Sequence, residues 1–214
     1  MLIVVTGTGT DVGKTFVTAA TTEVLRRAGA QVQAWKPVQS YTREELGDTD
    51  AEVLARATGR SPYEVCPRHR WLALAMAPPI ANAALDGPPF TISTLAHELK
   101  VDPSCDFVFV EGAGGVRSPL ADDGDTLSLC EALDPDAVVV VAHPRLGTIN
   151  EVRLTLGVLG RWPVVVVLNR YDESDHIQRA NLLWLRARDG FEVVIDGDEL
   201  AIALTRRAAD RARS

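Results

Sequence analysis

Residues Leu2 to Phe16, LIVVTGTGTDVGKTF, leave the chain few architectural choices. A short apolar run, Leu2 to Val5, gives way to small flexible residues, and Gly13-Lys14-Thr15 then opens a long helical pattern. Read in order, that is strand, loop, helix. Backbone N–H groups of such a loop, together with the positive end of the helix dipole, form a cradle for phosphate oxygens. In that arrangement Lys14 reaches the terminal phosphates as a compact cation, and the Thr15 hydroxyl ligates the magnesium that travels with them. The usual G-x-x-x-x-G-K-[ST] spacing would put a glycine at Thr8, whereas the glycines here are Gly7 and Gly9, so the loop is a variant.

A chain of 214 residues, 46% hydrophobic, buries a full core within one large α/β domain, and a single domain over 1–214 is the expectation. The formal charge of −7, with acids scattered among the arginines, argues against a nucleic-acid face, which needs clustered cations. Cys66, Cys105 and Cys130 lie far apart without CxxC spacing, so neither a disulfide framework nor a zinc site is expected, and a reducing cytoplasm fits. The opening MLIVV lacks a basic flank, and no apolar run approaches the ~20 residues of a membrane span. Lysine is scarce: only Lys14, Lys36 and Lys100 occur, against a background of arginine. Two of the three fall at the ends of expected strands, where a guanidinium fork would not replace a point-charge ammonium.

Helix formers from Val17 to Ala28 close at Gly29, and Gln31 to Trp35 alternates as a second strand ending in Lys36-Pro37-Val38-Gln39-Ser40. The proline holds Lys36 in an extended backbone, so the lysine projects from the carboxyl edge of the sheet, where ligands of open α/β folds bind. Thr42 to Thr49 is polar and expected to be mobile. Asp50 begins a short helix to Thr58 and reads equally as its cap or as a metal ligand. Prolines from 62 to 89 predict loops around short helices, with Arg60, Arg68, His69 and Arg70 on the surface. A helix over Thr91 to Lys100 leads to an apolar strand, Asp106 to Val110, that ends in Glu111-Gly112-Ala113-Gly114-Gly115. There an acid at the end of a buried strand holds the metal or its water opposite Thr15, and glycines let backbone approach phosphate or substrate.

Asp125 to Leu133 reads as an amphipathic helix and Ala137 to Ala142 as a strand covered on both faces. His143 to Asn150 then opens a helix to about Gly160, whose free amides suit a carboxylate; His143 itself reads as a loop residue. Pro163 to Leu168 is another apolar strand, ending at Asn169-Arg170, where an asparagine amide offers donor and acceptor to a purine edge. A helix from Ser174 to Arg188, a strand Phe191 to Ile195 and a helix from Asp198 complete a doubly wound, mostly parallel α/β pattern of the P-loop NTPase kind.

These stretches, GTGTDVGKT at 7 to 15, KPVQS at 36 to 40, the aspartate of GDTDA, EGAGGVRSPL at 111 to 120, LGTIN at 146 to 150 and NR at 169 and 170, together resemble the dethiobiotin synthetase family over most of the chain. The resemblance implies an ATP-dependent enzyme that closes the ureido ring of dethiobiotin from 7,8-diaminononanoate and CO2. It implies ATP phosphates on Asp11, Val12, Gly13, Lys14, Thr15 and Phe16, and magnesium on Thr15, Asp50 and Glu111. It also implies Lys36 as the catalytic lysine with Lys14, and Thr10 and Ser40 beside the substrate. Glu111, Gly112, Ala113 and Gly114 would line the phosphate region, with Asn169 and Arg170 near the base. In that family a homodimer brings the LGTIN loop to the carboxylate of substrate bound mainly by the other subunit, which implicates Gly147, Thr148 and Asn150. Two other readings share this layout. One is a nucleotide-switch ATPase of the partitioning or assembly type, which commonly carries an extra lysine where this loop reads Gly7-Thr8-Gly9-Thr10. The other is a related ligase acting on a modified diamine. The segment IDGDELAIAL lacks the family's proline-bearing loop over the adenine.

Overall fold

A computed structural model describes residues 1–42 and 47–213. The chain runs β1 (Leu2–Gly7), α1 (Lys14–Arg27), β2 (Val32–Trp35), β3 (Gln39–Ser40), α2 (Asp50–Thr58), α3 (Pro62–Val65), β4 (Trp71–Leu72), α4 (Pro78–Ala84) and α5 (Ile92–Glu98). It continues with β5 (Phe107–Glu111), β6 (Pro119–Ala121), β7 (Gly124–Asp125), α6 (Thr126–Leu133), β8 (Ala137–Ala142), α7 (Thr148–Leu159), β9 (Val164–Leu168), α8 (His176–Ala187), β10 (Val193–Val194) and α9 (Gly197–Arg211). Six strands form one parallel sheet in the order β10-β9-β8-β1-β5-β2.

Alternate residues of the central strands feed separate cores. Ile3, Val5, Phe109, Val139 and Val141 pack with residues of α1, α2 and α9 on one face. Val4, Val108, Val110, Val138 and Val140 pack with residues of α5 and α6 on the other. Covering both faces is what the unbroken apolar strands require. From β1 the chain moves first to one side of the sheet and later returns on the other at β8, so the loop after β1 sits at a topological switch point, on the carboxyl edge.

Several expectations change in detail. The helical pattern that Gly13-Lys14-Thr15 opens begins at Lys14 itself, three residues ahead of the run of helix formers from Val17, because the loop feeds straight into it. It closes as expected: Gly29, at φ +93°, donates to the Arg26 carbonyl and Ala30 to that of Leu25, a paired C-terminal stop that needs a left-handed residue. Asp50 is not the cap of α2. Thr49 is, with a reciprocal pair in which Glu52 N–H donates to Thr49 Oγ1 and Thr49 N–H donates to Glu52 Oε2. The carboxylate of Asp50 is thereby left for other work.

Arg70 is also not a surface residue: it is buried, makes two bonds to Glu98 at 2.9 and 2.7 Å and stacks on Phe90. The last strand shortens to Val193–Val194. Two small sheets escaped the sequence reading, β3 beside β4 and β6 beside β7. Of the polar stretch Thr42 to Thr49, residues 43–46 lie outside the described residues.

Candidate active site

The loop between β1 and α1 is held from below. Gly13, at φ +89°, stands where a Cβ would come within 2.0 Å of Asn169 Nδ2, and that same amide donates to the Val12 carbonyl at 2.9 Å. Only glycine fits here, on both steric and conformational grounds. No side chain caps α1, so the N–H groups of its first turn stay free for an anion. Lys14 is buried and touches the Gly9 carbonyl at 3.3 Å. Burial, and after it the neighbouring charge of Lys36, pulls its ammonium below the usual lysine range.

Three oxygens converge beside it. Thr15 Oγ1 lies 2.7 Å from Asp50 Oδ1 and 2.7 Å from Glu111 Oε1, yet a hydroxyl has one hydrogen to give. One of these contacts is therefore oxygen against oxygen, an arrangement suited to a hard cation. The donor set of one hydroxyl and two carboxylates, with no nitrogen or sulfur, fits magnesium, which is bound through few protein ligands plus phosphate. Among the described residues no cluster of three or more acidic, histidine or cysteine side chains makes a cage that would hold a metal unaided. Glu111 is wholly buried, and its second oxygen lies 3.3 Å from Thr18 Oγ1, a hydroxyl that is also 2.9 Å from the Lys14 carbonyl.

Lys36 completes the group. Its backbone N–H donates to the Val65 carbonyl at 2.9 Å, and its ammonium meets Asp50 Oδ2 at 2.7 Å, Glu111 Oε1 at 2.8 Å and the Gly112 carbonyl at 3.1 Å. Burial works against this charge, but the two carboxylates prevail and raise the lysine above its ordinary range. For Asp50, desolvation favours the neutral acid, and the Lys36 charge with the Lys36 and Thr15 hydrogen bonds overrides it, leaving the carboxyl at about 2.

These groups border two adjoining cavities of about 520 Å³ each. The first is lined by Gly13, Lys14, Thr15, Lys36 and Arg170 together with Thr10, Asp11, Ser40, Asp50, Ala113 and Gly114, and those last six also line the second. The second adds an apolar wall of Ala75, Met76, Ala77, Pro78 and Pro119, with Tyr41 and Ser118. Sequence reasoning missed this wall; the run Ala75-Met76-Ala77-Pro78 was its only trace, and it reads as a loop until α4 and the β3–β4 pair give it a place. Gly114, at φ +65°, leaves room for Ser118, whose hydroxyl accepts from Gly115 N–H at 2.9 Å.

The remaining expected residues are distributed as follows. Val12 is buried under the loop, and Phe16 is exposed on the first turn of α1. Gly112 N–H donates to the Val5 carbonyl, tying the glycine stretch to β1. Asn169 is buried with one amide hydrogen spent on the loop, and Arg170 is exposed at φ +60° on the cavity rim. His143 Nε2 lies 3.2 Å from the Asp11 carbonyl, a loop contact. Gly147, at φ +98°, caps α7, Thr148 is fully buried and Asn150 is exposed, and none of the three lines either cavity.

Residues 2–194 match the model of an AAA domain family. The chain is 33% identical over 185 residues to an ATP-dependent dethiobiotin synthetase of Aquifex aeolicus, covering 85% of this chain and 81% of that one. It is 39% identical over 189 residues to the one from Caulobacter vibrioides, covering 84% of each. Among solved structures, the septum site-determining protein MinD with Mg-ADP from Pyrococcus horikoshii aligns at TM-score 0.51 and 18% identity, over 91% of this chain and 78% of that one. A putative plasmid partition protein from Borrelia burgdorferi bound to AMPPNP aligns at TM-score 0.55 and 13% identity, over 98% and 89%. At such identities these two likenesses speak for the fold alone.

Proposed function

The chain belongs to the family of ATP-dependent dethiobiotin synthetases, and from that premise we propose how its residues divide the work of closing the ureido ring. The overall reaction joins 7,8-diaminononanoate and CO2 at the expense of ATP, giving dethiobiotin, ADP and phosphate. One amine takes up CO2 and loses a proton to become a carbamate. A carbamate oxygen attacks the γ-phosphorus and ADP departs, leaving a mixed carbamic-phosphoric anhydride. The second amine then attacks the carbonyl carbon, phosphate leaves, and the ring closes with loss of the remaining protons.

The observation that carries the assignment is the pair of joined cavities. One is a cationic chamber with Lys14 and Lys36; the other has an apolar wall suited to an aliphatic chain. Backbone amides of residues 11–16 and Lys14 hold the triphosphate, with Asn169 and Arg170 near the base. Thr15, Asp50 and Glu111 hold magnesium, which neutralises charge on the phosphate oxygens. Lys36 supplies positive charge to the reacting γ-phosphate and carbamate, where charge placed on the developing anion lowers the barrier. Thr10 and Ser40, shared by both cavities, position the carbamate end of the substrate.

The remaining proposals concern the whole chain. It acts as one ligase domain, since strands from its two ends share one sheet. It works as a homodimer in which Gly147, Asn150 and the backbone at Thr148 meet substrate of the partner subunit, a reading supported by the absence of all three from the lining of the chain's own cavities. A cytoplasmic setting is supported by three cysteines that form no disulfide. No described helix is long and apolar enough to cross a membrane.

Phosphate release is the test. With ATP and magnesium present, release is expected only when diamine and bicarbonate are both added, and Lys36→Ala is expected to lower kcat by roughly 100-fold or more. A switch ATPase would release phosphate at the same rate with or without diamine, and that result would refute the ligase reading.

A further inference from the structure

The two lysines of the site are in different states. Lys14 has a single contact, the Gly9 carbonyl at 3.3 Å, and so has donors to spare for phosphate. Lys36 has none. An ammonium carries three hydrogens, and those of Lys36 face Asp50 Oδ2, Glu111 Oε1 and the Gly112 carbonyl at 2.7, 2.8 and 3.1 Å. It is also buried, with 3% of its surface exposed. In this arrangement the lysine cannot give a hydrogen bond to a γ-phosphate or a carbamate without surrendering one it already makes.

The acceptors it holds are those a metal would want. Glu111 Oε1 meets both the Lys36 ammonium and Thr15 Oγ1, and Asp50 turns one oxygen to Thr15 Oγ1 and the other to Lys36. Two cations competing for one buried carboxylate oxygen, that of Glu111, repel each other. We propose that the Lys36 ammonium is the site's own counter-ion before nucleotide binds, shutting free divalent metal out, and that arrival of the metal with its nucleotide releases the lysine toward the reacting centre. The Gly112 carbonyl, at the head of the glycine stretch whose Ala113 and Gly114 line the cavity, is the one neutral acceptor among the lysine's three contacts and the one a metal does not contest. One side chain thus serves first as a guard and then as a catalyst, and metal enters only in company with phosphate. This rests on reading the site as a magnesium–nucleotide centre.

The experiment uses the full chain without nucleotide. Manganese is titrated into wild type, Lys36→Met and Lys14→Met, with free ion followed by electron paramagnetic resonance and melting temperature recorded in parallel. Lys36→Met is expected to bind manganese at least tenfold more tightly than both wild type and Lys14→Met, and manganese is expected to raise its melting temperature while leaving wild type unmoved. A Lys36→Met chain that is unfolded in chelator and folds as manganese is added supports the proposal equally. Manganese affinity no tighter than that of wild type or of Lys14→Met overturns it, as does a Lys36→Met chain that stays unfolded at every manganese concentration. Diamine-dependent phosphate release by wild type is scored separately. If that release fails while the manganese result holds, the reaction assigned above falls and the guarding role of Lys36 stands.

Discussion

Asp50 shows how one side chain's environment becomes a measurable property of the whole chain. Its carboxyl is held at about 2 by Lys36 and Thr15, against burial that favours the acid form, while an unfolded aspartate titrates near 3.9. A carboxylate whose folded value lies below its unfolded one contributes stability that is complete above the unfolded value and disappears as pH falls through the folded one. The expected outcome follows for wild type and Asp50→Asn melted in chelator across a pH series. The gap in melting temperature favours wild type and stays level above about pH 4, and its titrating part closes between about pH 4 and pH 2. A gap that widened on acidification would mean that Lys36 is not the partner that matters. The side chain is 42% exposed, so solvent screening keeps the effect modest.

Among the elements, α2 links stability to the site because its first residue is Asp50 and its cap is Thr49. Thr49→Ala removes the hydroxyl that accepts from Glu52 N–H, a loss of about 1 kcal/mol, or roughly 2–4 °C in melting temperature for a chain of this size. Fraying of that turn would also loosen Asp50, so the KM for magnesium–ATP is expected to rise. Thr91→Ala, which uncaps α5 away from the cavities, should lower the melting temperature similarly and leave that KM unchanged. The contrast between Thr49 and Asp50 also marks what a sequence yields. Strands covered on both faces declare themselves, and Ala137–Ala142 matches its expected bounds. That the loop, the two lysines and Glu111 lie together was legible because Lys14 follows the loop directly while Lys36 and Glu111 stand at the carboxyl ends of parallel strands, all on one edge of the sheet. Which of two adjacent polar residues caps a helix depends on side-chain direction, and the β3–β4 pair depends on a distant partner, so neither could be read locally. Arg70 looked like a surface cation because Glu98 and Phe90, which bury it, arrive from another part of the chain.

At the scale of the whole molecule, α7 carries two faces with different destinies. Val152, Thr155 and Leu159 are buried toward the sheet. Asn150, Leu154 and Val158 recur at every fourth position of α7 and so share the opposite stripe, with Leu154 68% and Val158 41% exposed, and Leu146, 81% exposed, stands in the loop just before the helix. A helix that shows Leu154 and Val158 to water beside the asparagine expected to hold a partner's substrate is the surface on which we propose the dimer contact. Leu154→Glu puts a charge in the middle of that stripe, where an apolar contact would have to desolvate it. It is expected to shift the chain from dimer to monomer in sedimentation velocity without lowering its melting temperature in dilute solution, where the side chain already faces solvent. If Asn150 reaches across that contact, the monomer should show a KM for diaminononanoate raised at least tenfold, about 1.4 kcal/mol of lost binding, with magnesium–ATP affinity unchanged because the phosphate loop lies within one chain. Asn150→Ala should reproduce the KM change and remain dimeric. A Leu154→Glu monomer with an unaltered KM for the diamine would show that each subunit completes its own substrate site, and Gly147, Thr148 and Asn150 would then lose their assigned role.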